Sequence, residues 1–173
     1  MMSLPGCLPL KARLVRGFTL TELMTTVAIL AVLMGLAAPT FSDIALSSRL
    51  KDAANRLVSF AAVARSEAIK RNAVVTMCMS ADAASCATTG GWEQGWIMRT
   101  TTEVLHKDTG APSGYKVNGN VGSINFDPVG VGTTQATLTV CRHDPEAGSQ
   151  ERVVTVSATG KATSVKTTTG TCA

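Results

Sequence analysis

Aromatic residues are scarce in this chain: seven in 173, with two Trp and one Tyr among them. Large rings contribute the most buried area per side chain, so any globular core here must be small and aliphatic. Histidine is scarcer still. Only His106 and His143 are present, and His143 opens an Asp-Pro turn, so a Ser-His-Asp arrangement would need an unmarked partner. The carboxylates are dispersed with no recognisable metal loop. Gly130-Val131-Gly132 is a lone glycine pair without dinucleotide or phosphate-loop spacing. The chain therefore reads as no enzyme, with no cofactor and no metal.

A strong excess of one charge is also missing. The formal +4 comes from 16 Lys and Arg against 12 Asp and Glu. Three of the cations (Lys11, Arg13 and Arg16) fall in the first 17 residues, leaving 13 against 12 afterwards. A net charge of +1 from residue 18 onward gives no general pull toward polyanions.

Cysteines are few but even in number once Cys7 is set aside with the N-terminal segment: Cys78, Cys86, Cys141 and Cys172. Their spacing lacks the paired pattern of structural zinc sites. Disulfides in an oxidising compartment are the better reading. Three pairings are open. Cys78–Cys86 and Cys141–Cys172 are favoured, the first closing a short loop, the second pinning a Thr-rich tail at 167–171. The chain-entropy estimate is about 2.6 kcal/mol for the short loop and about 3.7 kcal/mol for the long one.

Charge is absent from one stretch altogether, residues 23–42, and a single carboxylate, Glu22, stands at its entrance. A charge inside a membrane-spanning segment costs roughly 2.5–3.5 kcal/mol on insertion scales. A chain that keeps one there has a use for it, most simply a positive partner. The nearest one that processing could create is an amino terminus at Phe18, after a cut following Gly17. A conventional secretory signal would use Gly35-Leu36-Ala37 as its small-x-small site, but Glu22 has no purpose in it. A plain anchor of about 20 residues explains neither Gly17 nor Glu22.

The basic leader, Gly17, Phe18 and Glu22 together resemble a type IV prepilin. The resemblance implies an inner-membrane prepilin peptidase that cuts between Gly17 and Phe18 and N-methylates Phe18. It also implies that Glu22 meets the Phe18 amine of a neighbouring subunit during filament assembly. Residues 1–17 are then a removed leader, 18–41 a transmembrane and filament-core helix, and 42–173 a periplasmic pilin-like domain. The expected partners are that peptidase, other major and minor pilins or pseudopilins, and inner-membrane lipid before assembly.

Residues 18–72 read as one long helix, which Pro39 should kink; that Pro39 ends one helix and Asp43 caps a second is nearly as good a reading locally. Leu46, Leu50, Ala53, Leu57, Ala61, Ala64 and Ala68 recur at three- and four-residue steps, one apolar stripe. Alanine dominates its C-terminal half, suggesting close packing more than deep burial. Glu67 is placed to pair with Lys70 or Arg71, and Trp92 and Trp96 read as core or hairpin anchors. From residue 74 the period shifts to two. Strands are expected at 74–79, 95–100, 103–106, 123–126, 136–142, 152–157 and 163–166, separated by Gly and Pro turns. The fold class is α+β: a long N-terminal helix, transmembrane in its first half, packed on an antiparallel sheet.

Ala64-Arg65-Ser66-Glu67-Ala68, Val74-Val75-Thr76-Met77-Cys78, Gly95-Trp96 and Ile124-Asn125-Phe126-Asp127-Pro128 are similar to the GspH/FimT group of minor pilins and pseudopilins. The resemblance implies a structural or priming subunit of a type IV pilus or a type II secretion pseudopilus. Some relatives hold DNA through a basic Gly-Arg-x-Arg motif, so DNA capture in natural transformation is the alternative function. The matching turn here is Gly160-Lys161-Ala162-Thr163, where Thr163 replaces the second arginine. Lys161, Lys166 and Arg152 are the candidate phosphate contacts, with no Tyr or Trp nearby for base stacking. A solvated hairpin turn is the plainer reading.

Overall fold

The computed structural model describes residues 17–129, 134–144 and 150–168, and for residues 36–43 the backbone alone. The basic leader cations, Gly130-Val131-Gly132, Pro145 and Cys172 lie outside the described residues. The chain divides into two compact units, Met1–Ser42 and Asp43–Ala173.

Helix α1 runs Leu20–Arg71, with helical backbone through Pro39. Its start is set by Thr19, whose Oγ1 accepts from the Glu22 amide at 3.2 Å, an N-cap that satisfies one of the orphan amides of the first turn. Its end is equally well defined. Asn72 takes a left-handed φ of 49°; its amide donates to Ile69 at 3.3 Å, and the Ala73 amide donates to Ala68 at 3.2 Å. That pair of bonds closes the last carbonyls in the Schellman manner, with asparagine where glycine is commonest.

In the second unit the stripe from Leu46 to Ala68 is fully inside. Ala64 and Ala68 are as inaccessible as Leu50, so the alanine half is deeply buried, contrary to its expected shallow packing. Small side chains there let strands approach the helix backbone closely.

The strands form two antiparallel sheets of four, where the sequence pattern predicts a single sheet. Sheet one holds β1 (Val75–Met79), β2 (Trp96–Arg99), β3 (Val104–Asp108) and β5 (Ser123–Phe126), in the order β3-β2-β1-β5. Sheet two holds β4 (Tyr115–Gly119), β6 (Ala136–Arg142), β7 (Glu151–Val156) and β8 (Ala162–Thr167), in the order β4-β6-β7-β8. Strand β4 is absent from the sequence expectation because only Val117 of its five residues is buried and a glycine stands at either end. Without alternation there is no period to read. Its pairing with β6, Val117 opposite Val140, supplies what the pattern lacks. Alternate residues of both sheets (Met77, Ile124, Phe126, Leu138, Val154, Val156) join the α1 stripe in one core.

Trp92 and Trp96 are both buried in that core. Trp92 begins a short 3-10 turn, Trp92–Gln94, and its Nε1 donates to the Val121 carbonyl at 2.8 Å, so its one polar atom is satisfied.

Candidate functional site

Gly17 and Phe18 precede α1 on non-helical backbone, and a Cβ at Gly17 would meet nothing within 4 Å. Nothing in the fold of the chain demands glycine there. Phe18 is 79% exposed. Glu22 occupies the first turn, where a carboxylate is favoured by the helix dipole. Thr19-Leu20-Thr21-Glu22 has the spacing of a capping box, a signal that sequence reading passed over because Glu22 was accounted for by its counter-charge alone.

Beyond Glu22 the helix surface is apolar all round. Leu23, Met24, Val27, Ile29, Leu30, Val32, Leu33 and Met34 are each more than half exposed. The two hydroxyls in this stretch turn inward: Thr25 Oγ1 donates to the Glu22 carbonyl at 3.0 Å and Thr26 Oγ1 to the Leu23 carbonyl at 2.9 Å. Such back-bonding lets threonine enter an apolar medium without a bare donor. Among the described residues no helix is long and apolar enough to cross a membrane. The expected span at 18–41 runs into residues 36–41, whose side chains lie outside those described.

On the globular unit, Cys78 and Cys86 are joined by a disulfide with Cα atoms 5.5 Å apart. Cys141 is disulfide-bonded as well; the partner expected for it, Cys172, lies outside the described residues. Inside the short loop Asp82 gathers hydrogen bonds from the Ser85 hydroxyl (2.6 Å), the Ser85 and Ala84 amides (2.8 and 2.9 Å) and the Ser80 hydroxyl (3.0 Å). Led by the Ser85 hydroxyl, these donors push the carboxyl far below its ordinary pKa.

Between α1 and β3 lies an open groove of about 430 Å³, bordered by Phe60, Val63, Met98 and His106. Arg56 closes one end, donating to Asp108 at 2.6 Å and to the Gly110 carbonyl at 2.7 Å.

The three candidate phosphate contacts do not converge. Lys161 sits in the β7–β8 turn, where Gly160 adopts φ 73° and Ser157 bonds back to residue 161. Arg152 and Lys166 pair directly across β7 and β8 near their other end, roughly 16 Å along the strand from Lys161. Arg152 reaches toward Ser47 of α1, Nη2 to Oγ 3.4 Å. Among the described residues no cluster of His, Cys, Asp or Glu could hold a metal ion.

Residues 53–160 match the family model described as type II transport protein GspH. The chain belongs to the GspH family. Residues 13–38 of this GspH-family chain also match the prokaryotic N-terminal methylation motif, which includes Gly17, Phe18 and Glu22. Solved structures with the same fold include the type IV minor pilin FimU of Pseudomonas aeruginosa, 20% identical with a TM-score of 0.55, over 68% of this chain and 88% of that one. A second crystal form of FimU gives 0.53, over 67% and 92%. The minor pseudopilin EpsH of the Vibrio cholerae type 2 secretion system is 14% identical, with a TM-score of 0.50 over 68% and 96%. No curated protein matches the sequence. As a GspH-family protein with a methylation motif, the chain is a minor pilin or pseudopilin.

Proposed function

We propose that this subunit is cut between Gly17 and Phe18, N-methylated on Phe18, held in the inner membrane by residues 18–41, and then drawn into a pilus or pseudopilus filament. The observation that carries the reading is the apolar surface of α1 from Leu23 to Met34, exposed on every side. A helix that is hydrophobic all round needs lipid or protein around it. Before assembly that cover is lipid; afterwards it is the equivalent helices of other pilins or pseudopilins.

Glu22 gives the packing its register. In apolar surroundings a carboxylate needs a positive partner, and a freshly cut Phe18 amine on an adjoining subunit supplies one. The threonines Thr25 and Thr26 cost little in either medium because their donors stay within the helix. The globular unit then faces outward and meets other minor subunits. Its role is structural or priming, with no chemistry of its own.

N-terminal sequencing and intact mass of protein recovered from membranes test this reading. A chain beginning at methylated Phe18 is expected. One beginning after Ala37, stripped of the apolar helix, would overturn it.

A further inference from the structure

The structure brings together cations that lie far apart in sequence at the end of the globular unit that follows the apolar segment. Arg49 and Lys51 are exposed on α1, eight and ten residues past Phe41. Two residues apart on a helix, they stand on opposite flanks. Arg152 approaches Ser47 at 3.4 Å, on the Lys51 flank, and exposed Lys166 is paired opposite Arg152. Among the described side chains, the neighbouring carboxylates are occupied elsewhere. Asp52 faces Arg56 at 3.5 Å. Glu151 lies on the other face of β7, buried, and accepts from Thr167 Oγ1 at 3.2 Å.

We infer that Lys51, Arg152 and Lys166 form a docking surface for anionic phospholipid headgroups, held while the subunit waits in the membrane. The inference rests on the membrane-anchored reading above. Lys51 follows the uncharged stretch within ten residues, so chain connectivity alone keeps it within reach of the interface. Long cationic side chains reach an interface while their stems stay on the protein, and the attraction persists over a screening length of about 8 Å. Each cation near an anionic surface is worth about fivefold in binding. Sequence-wide charge balance hides this surface, because its members come from α1, β7 and β8. A lipid surface fits better than a nucleic acid because, among the described residues, no exposed aromatic lies beside these cations to stack a base.

The test uses the full mature chain from Phe18 in vesicles of phosphatidylcholine alone and of phosphatidylcholine mixed with phosphatidylglycerol. Backbone hydrogen exchange in β8 and around Arg152 should slow in the mixed vesicles only, and the difference should vanish at high salt. Lys166→Gln should remove about fivefold of that protection, and Lys51→Gln a similar factor; both side chains are exposed, so folding is unaffected. Equal exchange in the two vesicles would overturn the inference, as would slowing by duplex DNA without slowing by phosphatidylglycerol. Flotation with the vesicles is scored separately: a chain that fails to float with either composition overturns the anchored reading instead.

Discussion

The Arg56 guanidinium, seated on α1, donates to the Asp108 carboxylate at the end of β3 at 2.6 Å while its carbon lies 5.5 Å from the Trp96 ring centroid. One side chain thus ties the helix to sheet one by an ion pair, a backbone carbonyl at Gly110 and an aromatic face. Arg56→Met should cost the globular unit about 2–3 kcal/mol, measured by denaturant unfolding. The double variant with Asp108→Leu should lose less than the sum of the two single changes, because it leaves no stranded charge. Strict additivity would remove the coupling from the account.

Acid should weaken the helix end selectively. A hydrogen bond from Arg71 (2.7 Å), then the nearby Lys70 charge, holds the Glu67 carboxyl below its ordinary value of 4.5. Arg71 also bonds Glu103 at 2.5 Å, linking α1 to the turn before β3. A carboxyl with a depressed folded pKa contributes stability above its unfolded value, and that contribution is lost as pH falls through the folded one. Stability should therefore be flat above about pH 5 and decline below it. Asp82 acts in the same sense, its pKa lowered chiefly by Ser85. Glu67→Gln and Asp82→Asn should each shallow the decline, read from unfolding midpoints across pH. An unchanged slope in both variants would count against these bonds.

The stripe from Leu46 to Ala68 was legible because a helix packed on one side writes its burial every three or four residues, and all seven positions are inside. Strands β6 and β7 were legible for the corresponding reason at period two. The split into two sheets was not. Which strands pair depends on β4 meeting β6 across the sixteen residues 120–135 that separate them, a long-range choice that local alternation does not encode. The buried depth of Ala64 and Ala68 escaped for a related reason: a small side chain reports close approach only when the approaching strand is known. At the N-terminus, Glu22 was visible as a charge at the edge of an uncharged stretch, whereas the Thr19 cap was overlooked although its Thr-x-x-Glu spacing was present. The phosphate-contact set went the other way, since proximity in sequence between Lys161, in the turn, and Lys166, near the far end of β8, conceals the roughly 16 Å between them.

Removing the Cys78–Cys86 bridge should cost about 2.6 kcal/mol if its effect is loop-closure entropy in the unfolded chain. The bridge joins the end of β1 to the loop organised by Asp82, so the damage should stay local. Cys78→Ala with Cys86→Ala should speed hydrogen exchange at Ala84, Ser85 and Ala87 while leaving β6 and β7 protected. Exchange rising equally in sheet two would mean that the bridge supports the whole unit.

Glu22→Ala separates processing from assembly. The proposed scissile bond follows Gly17, which is on non-helical backbone ahead of the helix, and the Thr19 side-chain cap to the backbone amide of residue 22 does not require the carboxylate. Cleavage should therefore proceed and leave Phe18 at the amino terminus. Assembly should not. Once the apolar helices are packed together, a Phe18 ammonium without its carboxylate is an uncompensated buried charge, costing about 3 kcal/mol or roughly a hundredfold in incorporation. Glu22→Asp keeps the charge on a shorter arm and should fall between. Subunit content of sheared filaments, set against mature subunit in the membrane fraction, reads the effect directly. If the alanine variant enters filaments as efficiently as the parent chain, Glu22 is a helix-capping residue and the register must come from elsewhere along residues 18–35.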